Sequence, residues 1–70
     1  MIEFGSFMSK SGKRYIGHFI SESNTVELLG PLQDYPNKSA MAPQVFIESA
    51  TSEKEARSKI EEAINWGIIE

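Results

Sequence analysis

Apolar residues recur along this chain at two spacings. From position 56 onward they fall at Ala56, Ile60, Ala63 and Ile64, the i, i+4, i+7, i+8 set that makes one stripe on a helix. Ser52 with Glu55 three residues later has the form of a capping box, each side chain reaching the other's backbone N–H, and Gly67 supplies a left-handed position at the far end. The spacing therefore predicts a helix that opens at Ser52 and closes at Gly67. On its wheel Trp66 lies about 120° from Ile60, outside the stripe. It is expected at an exposed rim, where a tryptophan can serve an interface.

Ahead of the helix the period changes to two. Ile2 to Met8 and Arg14 to Ser21 read as strands joined by a tight turn at Lys10-Ser11-Gly12-Lys13. A second turn at Ser23-Asn24 leads into a strand ending at Leu29, and Val45-Phe46-Ile47 is a short β-branched and aromatic run that gives a fourth. With Ser11 and Gly12 as a two-residue loop, Met8 pairs with Tyr15, Phe7 with Ile16, Gly5 with His18 and Phe4 with Phe19. The second turn pairs Ser21 with Val26 and Phe19 with Leu28. This register turns Ile2, Phe4, Met8, Tyr15, Phe19, Val26 and Leu28 toward the helix. It leaves Phe7, Ile16, His18, Ile20 and Leu29 on the other face, among Glu3 and Glu27. Residues 30 to 43 hold all three prolines and no sustained period, so they read as a crossing pinned by Leu32, Tyr35 or Met41, or else as a partner-binding loop. The pattern predicts one α+β domain spanning residues 1 to 70. Its sheet is a small antiparallel one, a three-stranded meander plus a fourth strand, with one C-terminal amphipathic helix packed on one face.

Composition narrows the functional classes. A 70-residue chain builds a core only marginally able to offset chain entropy, so help from association is expected. Cysteine is absent, which removes disulfides, thiolate nucleophiles and Cys-containing metal sites. No apolar run reaches the roughly 20 residues of a membrane span, and the first residues lack the apolar core of a signal peptide; the expected location is the cytoplasm. The net charge of −3 is uneven. Lys10, Lys13 and Arg14 against Glu3 give residues 1 to 21 a charge of +2, leaving −5 for the rest. An acidic domain with one small basic tip is a poor general ligand for phosphate backbones.

Candidate chemistry is sparse. His18 is the single histidine, with Glu3 or Glu27 as its expected neighbours, but no Gly-x-Ser-x-Gly or comparable nucleophile accompanies it. No catalytic residue, cofactor or metal is expected, since one histidine among scattered carboxylates has no ligand spacing, and an enzyme built around His18 is the last-ranked alternative. Ser11-Gly12-Lys13 lacks the rest of a phosphate loop. Glu53, Arg57 and Glu61 stand four apart, the spacing of intrahelical ion pairs. Ser49-Ala50-Thr51-Ser52-Glu53-Lys54-Glu55-Ala56, following a strand and opening a helix, resembles the strand-to-helix junction of HicB-type antitoxin domains over about twenty residues. A Pro-Asp-Leu-Pro-Gly element before the last strand is missing. The resemblance implies a small sheet with a helix and, as one functional alternative, an antitoxin-like or phage-inhibitor-like regulatory module.

The leading expectation is a small non-catalytic interaction module. It forms a homodimer or binds a protein partner through the helix-free sheet face, with Phe7, Ile16, His18, Ile20, Leu29 and Trp66 as interface residues. The alternative is a weak single-stranded nucleic-acid binder using Lys10, Lys13 and Arg14 at the hairpin tip, with Tyr15, Phe7 or Phe19 as stacking surface.

Overall fold

The computed structural model of the chain describes residues 1–34 and 42–69. Four antiparallel strands, β1 (Ile2–Met8), β2 (Arg14–Ile20), β3 (Thr25–Leu29) and β4 (Gln44–Ser49), lie side by side in chain order in one open sheet. The helix α1 (Glu53–Asn65) packs on one face, over β3 and β2. This is a small α+β fold. Among the described residues, no helix is long and apolar enough to cross a membrane.

The helix begins and ends where its sequence dictates. Ser52 is the N-cap and its side chain accepts a bond from the Glu55 N–H at 3.1 Å. The return half of the capping box differs from expectation. The Glu55 carboxylate accepts from the Thr51 N–H at 2.6 Å and the Thr51 hydroxyl at 3.2 Å, one residue further back than Ser52. Those bonds, with a smaller contribution from Lys59, hold the Glu55 carboxyl below its ordinary value. A depressed carboxyl contributes stability above its unfolded value and loses it as pH falls through the folded one. Glu55→Gln is therefore expected to cost stability at neutral pH, with the gap from the native chain closing on acidification through the carboxylate range; urea denaturation at both pH values checks this, and an equal gap at both would contradict it. At the other end Gly67 adopts φ +77°, its N–H bonds the Ile64 carbonyl at 3.2 Å, and the Ile68 N–H bonds the Ala63 carbonyl at 2.9 Å, which is a Schellman cap. The cap turns the chain back so that Ile69 is buried while Ile68 and Trp66 stay outside.

Ala56, Ile60 and Ala63 of the stripe are buried against Phe19, Val26, Leu28 and Tyr15, with Phe4, Phe7, Phe46 and Ile64 partly buried around them. The inward set from β2 and β3 is thus the expected one. β1 departs from it, through two irregularities. The first turn is a three-residue loop closed by Ser9, whose N–H bonds the Lys13 carbonyl at 2.8 Å, with Gly12 at φ +88° as its last residue. That is one residue longer than the two-residue turn expected, so Phe7 pairs with Tyr15 and Met8 with Arg14. A one-residue slip exchanges faces: Phe7 turns toward the helix and Met8 outward, 61 % exposed. A bulge between Glu3 and Gly5 then restores the phase, so Ile2 pairs with Phe19 and Glu3 with His18. The second hairpin is shifted by two residues, Phe19 pairing with Val26 and Gly17 with Leu28, which leaves every face unchanged.

Arg57 does not follow the ion-pair spacing. Its guanidinium lies 5.0 Å from the Phe4 ring centre and 5.6 Å from that of Phe7, stacked on the pair of rings where β1 meets the helix. The crossing after β3 is tied down by Gln33, which accepts from the Arg14 N–H and donates to the Gly12 carbonyl, both at 3.0 Å, and by the buried Ala42. Leu32 is half-buried; Tyr35 and Met41 lie outside the described residues.

Candidate functional site

The face of the sheet away from α1 carries Met8 from β1, Ile16, His18 and Ile20 from β2, Glu27 and Leu29 from β3, and Ile47 from β4. This follows from the pairings Met8 with Arg14, Ile16 with Leu29, His18 with Glu27, and Glu27 with Ile47. The helix α1 lies on the opposite face, and among the other described elements the single 3-10 turn Leu32–Asp34 contacts β2. Ile16, Ile20 and Leu29 are half-buried by their neighbours, and Ile47 is 57 % exposed. Phe7, expected here, belongs to the opposite side for the reason given above. Met8 and Ile47 are the residues that the sequence reading missed: Met8 because of the loop length, Ile47 because the apolar run Val45-Phe46-Ile47 did not say which of its members faces the helix.

A polar rung crosses this face from one edge of the sheet to the other. Glu3 Oε1 stands 3.6 Å from His18 Nε2, His18 Nδ1 is 3.1 Å from Glu27 Oε2, and the Gln44 amide donates to Glu27 Oε1 at 2.6 Å. The strand pairings put one of these residues on each of the four strands. His18 and Glu27 side chains are only 12 % and 13 % exposed, so the centre of the rung is sheltered even though the face is open. Each ring nitrogen faces a carboxylate, so neither is directed at a hydroxyl that it might activate. Among the described residues, no group of three or more His, Asp or Glu side chains is arranged to hold a metal ion.

The residues of the nucleic-acid alternative are only partly brought together. Lys10, Lys13 and Arg14 are exposed at the hairpin tip, but Lys13 faces Ser9 across the longer loop and not Lys10. Tyr15 is 4 % exposed and Phe19 5 %, both in the core, and Phe7 packs against it. Inward-facing rings offer no platform for bases: Tyr15 and Phe19 lie on the helix side by the alternation of β2, and the longer loop puts Phe7 there as well. Trp66 is 73 % exposed at the end of α1, remote in kind from the rung: it belongs to the helix side of the sheet, where it lines a groove with Phe46, Ala63 and Ile68. Compared with known proteins, the sequence matches no family model, no curated protein and no solved structure.

Proposed function

We propose that the protein is a small non-catalytic interaction module of the cytoplasm, which self-associates as a twofold dimer through the helix-free face of its sheet. The observation that carries this reading is the cluster of Ile16, Ile20, Leu29, Ile47 and Met8 on the face opposite α1. Monomers seldom expose apolar patches beyond a few hundred Å². A second copy is the occupant favoured by shape. The molecule measures 30 × 25 × 15 Å, a slab whose broad side is close to the roughly 800 Å² per partner of a standard interface. The charged groups of this face are gathered in the rung, where Glu27 and Glu3 flank His18, and the apolar side chains of Ile16, Ile20 and Leu29 lie beside it.

The test is Ile16→Glu, which places a charge on this face but outside the core beneath the helix. The variant is expected to keep its far-ultraviolet circular dichroism and to sediment as a monomer. A folded variant with unchanged mass would mean that the face is not an interface, and an unfolded one would mean that Ile16 serves the core.

A further inference from the structure

The edge strand β4 and the groove beside it have a separate use. The Ala50 N–H bonds the Asn24 carbonyl at 2.9 Å, and β4 pairs with β3 through Thr25 with Ser49, Val26 with Glu48 and Leu28 with Phe46. In an antiparallel ladder hydrogen-bonded and open pairs alternate. Glu48 and Phe46 therefore exchange backbone bonds with β3, while Ile47 and Ser49 direct theirs away from the sheet. The Ser49 carbonyl is taken by the Lys59 ammonium. The outward N–H and C=O of Ile47 and the N–H of Ser49 are the groups that an added strand would pair.

Beside this edge, on the helix side, lies a groove of about 250 Å³ lined by Phe46, Ala63, Trp66 and Ile68, with Glu48 and Glu62 on its walls. Lys59 also lines it, and its ammonium keeps its charge while donating to the Ser49 carbonyl. The groove is apolar at its floor, and with two carboxylates against one ammonium its rim is one charge negative. We infer that β4 binds an extended peptide segment by strand addition, the segment carrying an apolar side chain for the groove and a Lys or Arg two residues away for Glu48 and Glu62. Residues two apart on a strand share a face, so one segment reaches both features. A second copy's β4 is the poorer occupant. Antiparallel pairing about Ile47 sets Glu48 of one copy opposite Phe46 of the other, adding a carboxylate to a groove that holds two.

The probe is a blocked seven-residue peptide of alternating pattern with Leu and Lys two positions apart, and a matched peptide with Glu in place of the Lys. Binding is read from the emission of Trp66, the single tryptophan, and from hydrogen exchange of the Ile47 and Ser49 amides. The expected result is a blue shift with slowed exchange at both amides, and binding of the Glu peptide weaker by about tenfold. Glu48→Lys, at an exposed position, should invert that preference. The Ile16→Glu chain should bind the Leu–Lys peptide as the native one does, so this surface and the sheet face fail or succeed independently. No binding at millimolar peptide, binding indifferent to the charge exchange, or exchange protection at these amides that rises with the concentration of the Ile16→Glu chain alone would each overturn the inference, the last by making a second copy's edge the occupant.

Discussion

Phe19→Ala is expected to lower the unfolding free energy by about 3–5 kcal/mol, the range of a large aromatic truncation in a core. Phe19 is 5 % exposed and belongs to the cluster with Val26, Leu28 and Ile60, the last three with no accessible surface at all. A domain of this length has a total stability of roughly 4–10 kcal/mol. The truncation therefore removes a large share of it, and the variant should have a much lower urea midpoint or be unfolded in buffer. Ile20→Ala is the control one residue away. Ile20 is half-buried on the other face, pairing with Thr25, and its truncation should cost clearly less. Equal losses at the two positions, or a larger one at Ile20, would contradict the assignment of faces.

The second large effect is at Gly17, in the middle of β2. A Cβ built there stands 2.7 Å from Cε1 of Phe7 and 2.8 Å from Cδ1 of Ile60, inside contact distance for both. The missing side chain is what lets the Phe7 ring and the helix reach the sheet here. Gly17→Ala is expected to cost about 1–3 kcal/mol by overpacking, and Gly17→Val more, since its methyls extend further into the same space. Ile60→Val deletes the Cδ1 atom that the new Cβ would meet. In the double variant Gly17→Ala with Ile60→Val, the two losses should sum to more than the measured loss, a favourable coupling that a chemical denaturation cycle reads directly. Strict additivity would mean that the helix does not close on Gly17.

These two sites show how much of the fold the chain's pattern reveals. Phe19, Val26, Leu28 and Ile60 are legible because each sits in an element long enough for its period to be unambiguous, and because a two-residue error in the second hairpin leaves parity intact. Phe7 and Met8 are not legible, because their sides depend on the loop being Lys10-Ser11-Gly12 and not Ser11-Gly12, and glycine suits the last position of either turn. The bulge at Glu3 to Gly5 carries only a weak signal: a glycine inside a strand pattern marks such a site without saying which way the register moves. Gly17 reads as another weak strand residue until the Phe7 ring is seen lying over it.

The candidate site divides in the same way. Ile16, His18, Ile20 and Leu29 follow from alternation alone, and the pairing of His18 with Glu27 follows from the strand register once that is known. The edge at β4 and its groove do not. Their ingredients are a strand with no further strand on its far side among the described residues and a helix end turned by the Gly67 cap, both products of how β4 is placed against β3 and α1. Trp66 is the exception, since its position off the apolar stripe already marks it as exposed.

Self-association through the open sheet face is tested most directly by the native chain's mass in solution. Sedimentation equilibrium at two protein concentrations, alone and with a short single-stranded oligonucleotide, should give a mass that rises from the 7.8 kDa of one chain toward twice that value and is unmoved by the oligonucleotide. A mass of one chain at every concentration would contradict the account. So would a mass that grows only when the oligonucleotide is present.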